Sequence, residues 1–221
     1  MLSSSALQWI ALITMTIDHI GFILFPKLTI LRIIGRIAMP IFVFSLAEGF
    51  IHTKSRQKYF MRLGILAIIS ELVFILERYY LNLDLPLNVV MTLSVSFIAM
   101  LCAERGGVLG WLGVAALAVA AYLFNFEYGA PAVLLAVAFY FICNLRDFHV
   151  TYVVTLIIAL GLFTFATTYN AHWWAQAYSA LAIIPLALYS GEKGKRIPYY
   201  LNYWYYPAHI LILLMLRIAL F

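Results

Sequence analysis

Nine apolar stretches follow one another along the 221 residues, each closed by charged or turn-forming residues. They cover residues 6–25, 29–51, 60–76, 85–102, 108–124, 129–143, 150–168, 172–189 and 199–220. A helix of about 20 residues crosses a bilayer's hydrocarbon core. The succession therefore predicts an all-α fold, a polytopic integral membrane helical bundle of about nine transmembrane helices. Composition agrees: charged residues are 10% of the chain, where a soluble domain carries about 25%. Short alternating segments, the mark of an outer-membrane barrel, are absent. No stretch is long enough for a second domain, so residues 1–221 are read as one transmembrane domain. The first stretch is read as a mature span and not a cleaved leader, because no basic segment precedes it.

Orientation follows from loop charge. Lys54, Arg56, Lys58, Arg62, Arg105, Arg146, Lys193, Lys195 and Arg196 all fall on one side of a nine-span bundle. Lys27, Glu77, Arg78, Asp84 and Glu127 fall on the other. Cytoplasmic loops collect Lys and Arg, which places the N-terminus in the cytoplasm. The chain is then a multi-pass membrane protein, with the lipid bilayer as its first partner. The net charge of +5 is explained by the same bias, so no nucleic acid partner is implied. Cys102 and Cys143 are too few for a metal site, and no metal cluster is evident.

Inside this apolar frame, Asp18 and His19 sit side by side in the first stretch, and Arg32 and Arg36 lie in the second. Ionisable groups in a bilayer are expensive and usually paired, and they mark functional sites. His19 lies roughly 20 Å from the cytoplasmic end at ~1.5 Å per residue. Arg32 and Arg36 enter from the outer side, one turn apart on one helix face. Glu71, Asn88, Thr92 and Gln176 fall in the same half of the membrane, and His209 near the middle of the ninth stretch.

Two arginines at this spacing repel each other and need anions, for which Asp18 and Glu71 are the candidates by depth. A charge network that only locks helices together is one reading. The other is an oxyanion site in which Arg36 holds a carbonyl or carboxylate. His19 is either an interhelical hydrogen-bond donor or a general base or transient acyl acceptor. Asp18 projects about 100° away from it on a helix, so Asp18 pairs with an arginine, while Glu71 is a candidate to orient His19. For His209, two residues after Pro207, the alternatives are a packed histidine at a kink and a residue of the polar pocket. For Asn88 and Thr92 the alternatives are a helix start and a polar lip.

Several segments carry a family resemblance. They are Met15-Thr16-Ile17-Asp18-His19-Ile20-Gly21, Gly35-Arg36-Ile37-Ala38-Met39-Pro40-Ile41-Phe42, Leu87-Asn88-Val89-Val90-Met91-Thr92, Glu127-Tyr128-Gly129-Ala130-Pro131 and Tyr205-Tyr206-Pro207-Ala208-His209. In these the chain resembles the TraX family, known for acetylating the N-terminus of a conjugative pilin. The resemblance implies an integral membrane acyltransferase using acetyl-CoA as co-substrate. The acetyl acceptor would be a protein N-terminus such as pilin, or a glycan or other amine or hydroxyl. His19, Asp18 and Arg36 become the catalytic candidates, with Arg32, Glu71, Asn88, Thr92 and His209 binding substrate. The phosphates of acetyl-CoA cannot enter hydrocarbon cheaply, so Lys193, Lys195, Arg196, Lys54 and Arg56 are their candidate partners. The competing classes are a transporter or channel and a non-enzymatic membrane assembly factor. The stretches lack an inverted repeat, which disfavours a typical secondary transporter.

Overall fold

The computed structural model describes residues 1–145, 149–171, 174–195, 197–198 and 203–220. Its regular elements are helical, and two isolated backbone bridges, Leu2 with Tyr189 and Leu87 with Phe126, are the extended pairings among the described residues. The α-helices are α1 (Ser4–Ile23), α2 (Thr29–Gly35), α3 (Ala38–His52), α4 (Arg56–Leu81), α5 (Val89–Arg105), α6 (Gly107–Leu123), α7 (Gly129–Ile142), α8 (His149–Ala171), α9 (Ile183–Ala187) and α10 (Tyr205–Leu220). A 3-10 helix at Trp174–Ala182 precedes α9. Among the described residues, four spans are long and apolar enough to cross a membrane: Ser4–Ile23, Thr29–His52, Arg56–Leu81 and His149–Asn170. Shorter apolar helical segments occupy Gly107–Leu123, Gly129–Leu145, Trp174–Ala187 and Tyr205–Leu220.

The surface explains the length of the apolar runs. On α4, Met61, Ile65, Ile68, Leu72 and Ile75 are each more than half exposed, and they recur at the three-to-four spacing of one helix face. Leu63, Ala67, Ser70 and Phe74 are buried on the other face. A helix apolar on both faces suits a lipid surround.

Packing divides the chain into two compact units. The first comprises residues 1–45 and 160–221, and the second residues 46–159. Helices α3 and α8 contribute to both. The first unit buries Leu7, Ala11, Ile23, Ile41, Phe44, Leu186 and Ile210 completely or nearly so. The second is built around Phe50 and Phe97, whose rings meet edge to face at 5.0 Å.

Local sequence sets the element ends. The Ser3 hydroxyl caps α1 by accepting from the Ala6 N–H, and Ser55 does the same for α4, each supplying one acceptor for the unpaired first-turn donors. Asn82, at φ 52°, closes α4 in the left-handed conformation that asparagine tolerates.

The second apolar stretch is one run in sequence and two helices in space. The chain turns at Arg36 and Ile37, between α2 and α3. Pro40 supplies the reason, because its ring clashes with the carbonyl four residues back, that of Arg36. The proline then sits in the first turn of α3, where a missing N–H costs nothing. At the break the Arg36 N–H bonds to Ile33 O at 3.2 Å. The Arg32 carbonyl, passed over by that shift, instead accepts from Arg36 Nε at 3.1 Å.

The eighth stretch also departs from its reading as a continuous transmembrane helix. Residues 172–173, at its start, lie outside the described residues, as do residues 199–202 at the start of the ninth. The described part is a 3-10 helix followed by the five residues of α9. At 3.0 residues per turn, Gln176, Ser179 and Ala182 fall on one face, and all three are buried.

Candidate functional site

Asp18, Arg32 and Arg36 of the first two stretches meet in the first unit. Two close approaches bring α1 against α2. A Cβ on Gly21 would lie 2.7 Å from the Leu31 Cβ, and one on Gly35 would lie 2.2 Å from both Cβ and Oδ1 of Asp18. Small residues at such crossings let helix backbones come close, and here the space left by Gly35 is filled by a carboxylate.

Asp18 bridges both arginines. Its Oδ2 accepts from Arg32 Nη1 at 2.5 Å, and its Oδ1 accepts from Arg36 Nη2. Arg32 Nη1 also reaches the Asp18 carbonyl at 3.3 Å, and its guanidinium lies over the Phe22 ring, 4.7 Å from the centroid. Arg36 uses its remaining edge on Gln176, with Nη1 donating to Oε1 at 3.0 Å. Asp18, Arg36 and Gln176 are all buried. The 3-10 helix that carries Gln176 packs against α2, and the Ser179 hydroxyl ties that helix to Thr164 of α8 at 2.9 Å.

His19, the next residue on α1, addresses a different partner, because successive side chains on a helix diverge by about 100°. Its Nδ1 lies 2.9 Å from Nε2 of His209 on α10. Nδ1 of His209 lies 2.8 Å from the Tyr205 carbonyl. Tyr205 stacks on the His209 ring at 5.1 Å and 9°, and its hydroxyl shares a 2.7 Å hydrogen bond with Thr16 of α1. Arg217, further along α10, donates to the Ile23 carbonyl at the end of α1. Helices α1 and α10 are thus fastened on both sides of the histidine pair.

With both rings neutral, the hydrogen bonds set the tautomers. A backbone carbonyl only accepts, so the proton of neutral His209 is on Nδ1. Its Nε2 then carries a lone pair, and His19 Nδ1 must be the donor to it. The lone pair of neutral His19 is left on Nε2, the atom pointing away from its partner. This is the arrangement of an oriented base.

Other candidate residues have different surroundings. Glu71 was a candidate to pair with the buried arginines or to orient His19. Its carboxylate instead accepts from Arg78 Nη2 at 2.5 Å, from the Asn88 N–H at 3.0 Å and from the Asn88 side chain at 2.6 Å. Asn88 caps α5, its Oδ1 accepting from the N–H groups of Val90 and Met91, and its amide also donates to the Ala67 carbonyl at 3.1 Å. The Thr92 hydroxyl donates to the Glu127 carbonyl at 2.7 Å. The Asn88 bonds to Val90 and Met91 are those of a helix start. In this network of the second unit, the amide donors of Asn88 and the Thr92 hydroxyl proton are committed within the fold.

Among the basic candidates, Lys54, Lys193 and Lys195 are exposed, while Arg196, like the loop charge Arg146, lies outside the described residues. Arg56 is held in a two-pronged pair with Glu104, one arm at 2.8 Å, and stacks over Phe50 at 4.3 Å. The Lys193 segment is anchored by its backbone. Its carbonyl accepts from the Ser5 N–H at 3.1 Å and from the Ser5 hydroxyl at 2.7 Å.

The helices and this site define a class: an all-helical membrane protein with a buried carboxylate–arginine cluster beside an oriented histidine pair. A model of the TraX protein family matches residues 3–217, and the chain belongs to that family. A probable fimbrial assembly protein, FimC of serogroup H1, from Dichelobacter nodosus is 27% identical over 96% of this chain and 94% of its own length. An uncharacterised protein of Rickettsia prowazekii (strain Madrid E) is 47% identical over 68 residues, 31% of this chain and 27% of that protein. The matched segment thus spans about a quarter of the Rickettsia protein. No solved structure matches.

Proposed function

We propose that this protein is an acetyl-CoA-dependent acyltransferase of the cytoplasmic membrane. It would pass acetyl to an amine or hydroxyl acceptor, with nine spans and a cytoplasmic N-terminus. The observation that carries the reading is the Tyr205–His209–His19 hydrogen-bond chain, whose tautomer order with both rings neutral leaves His19 Nε2 as a directed lone pair one residue from the Asp18–Arg36 cluster. Family membership supports acetyl transfer, and the Dichelobacter relative's link to fimbrial assembly favours a subunit of a surface appendage as acceptor.

In this reaction His19 Nε2 takes the proton of the acceptor's N–H or O–H as the acceptor attacks the thioester carbonyl. Arg36 stabilises the negative charge that develops on the carbonyl oxygen. When the C–S bond breaks, the proton on His19 goes to the departing CoA thiolate, so the products are the acetylated acceptor and CoA. In a two-step variant His19 Nε2 attacks the thioester itself and carries the acetyl group briefly. His209 accepts the Nδ1–H of His19 throughout, and that bond strengthens when His19 becomes cationic. Asp18 fixes both guanidinium groups.

The test is acetyl transfer by purified protein in lipid nanodiscs with labelled acetyl-CoA. His19→Ala and His19→Gln should abolish transfer, while CoA binding and folding persist. His209→Ala should lower kcat by roughly 10²-fold or less, since a residual base remains. Near-normal turnover of either His19 variant would place His19 among structural residues. A protein that shows no saturable CoA binding, yet conducts ions or solute in liposomes, would instead be a channel.

A further inference from the structure

We propose that Gln176 is a substrate-binding residue: its side-chain N–H donates to the thioester carbonyl oxygen of the acyl donor, making a two-donor oxyanion site with Arg36. This rests on the transferase reading above. The argument starts from what arginine can and cannot do. A guanidinium donates and never accepts, so the 3.0 Å contact with Arg36 Nη1 obliges Gln176 to present its oxygen there. The amide nitrogen, on the same carbon as that oxygen, is therefore not the atom that meets Arg36 Nη1.

That nitrogen is buried and has no hydrogen-bond partner among the described residues, in a residue only 3% exposed. A buried donor without an acceptor costs roughly 1–3 kcal/mol, and in a membrane no bulk water relieves it. Such a group persists where something other than the fold supplies the acceptor.

The local backbone points the same way. Gln176 lies on a nine-residue 3-10 helix, whereas runs beyond three or four residues are uncommon. The tighter winding lines up Gln176, Ser179 and Ala182 on the buried face. The Ser179 hydroxyl is engaged with Thr164, which leaves the Gln176 amide as the outstanding donor of that row. An oxygen that also faces Arg36 and becomes negative during reaction is the acceptor that fits.

Two variants separate substrate binding from support of Arg36. Gln176→Glu keeps an oxygen for Arg36 but has no N–H to give. Gln176→Met removes both. The probes are acetyl-CoA kinetics and the infrared carbonyl stretch of bound acetyl-CoA carrying 13C in the carbonyl. A hydrogen bond to that oxygen lowers the stretching frequency, and a residue that only braces Arg36 has no direct hold on it. Gln176→Glu should lose about 10²-fold in kcat, the usual cost of one oxyanion donor. Its KM for acetyl-CoA should change by less than about threefold, because the ground-state carbonyl gains little from the bond. The 13C band should move to higher frequency in both variants. A Gln176→Glu protein that turns over within about threefold of wild type, with the band unmoved, would overturn the assignment while leaving the transferase standing. If the wild-type protein neither binds nor consumes acetyl-CoA, the transferase reading fails and this assignment falls with it.

Discussion

Replacing Gly35 by alanine should detach both arginines from Asp18. The new Cβ would stand 2.2 Å from Asp18 Oδ1 and from its Cβ. Ordinary contact between such atoms begins near 3.5 Å, so the carboxylate or the helix must withdraw by about 1 Å. The Arg32–Asp18 separation of 2.5 Å would then approach ~3.5 Å, beyond a useful hydrogen bond. Each charge-assisted bond contributes roughly 1.5–3 kcal/mol. Losing most of two, offset by about 1 kcal/mol of helix propensity gained over glycine, leaves a net destabilisation of about 2–5 kcal/mol. At roughly 2–4 °C per kcal/mol for a chain of this size, the unfolding midpoint in nanodiscs should fall by about 4–20 °C. Acetyl transfer should fall with it. Gly64→Ala is the matched control, since a Cβ there meets nothing within 4 Å. If Gly35→Ala unfolds at the same temperature as Gly64→Ala and keeps its activity, the close α1–α2 crossing does not hold the ion cluster together.

Two further outcomes are expected. Arg36→Lys keeps a positive charge but loses the planar fork that spans Asp18 and Gln176, so kcat/KM should drop at least tenfold; wild-type kinetics would mean that point charge suffices. Single cysteines placed at Lys54 and Lys195 should react with an impermeant thiol reagent only from the cytoplasm, and one at Glu127 only from outside. Labelling of the Lys195 and Glu127 positions from one side would overturn the nine-span topology.

Much of this arrangement could be read from local spacing. Arg32 and Arg36, one turn apart at the depth of Asp18, are a pattern that demands a shared anion, and the structure supplies it. Asn88 after Pro86 carried a helix-start signal, and capping is what its side chain does. Glu71 is instructive in the other direction. Depth alone made it a partner for the buried arginines, but Arg78 lies two turns along the same helix, and a short local ion pair formed instead. The His19–His209 contact joins residues 190 positions apart, and no helix periodicity links them. The 3-10 helix was hidden because an apolar run looks the same at 3.0 and 3.6 residues per turn; the spacing of Gln176, Ser179 and Ala182 was the available signal.

The hydrogen bond from His209 to the Tyr205 carbonyl also determines where a proton can travel. A conducting wire needs, at every link, an atom that can both receive a proton and release one. Here the row of imidazoles ends on a peptide oxygen, far too weak a base to accept one. A proton collected on His19 can be steadied by His209 but not handed on through it, so it has to leave by the face on which it arrived. On the transferase reading the pair is a cul-de-sac, suited to lending a proton back to a molecule held beside His19 rather than to moving charge across the bilayer.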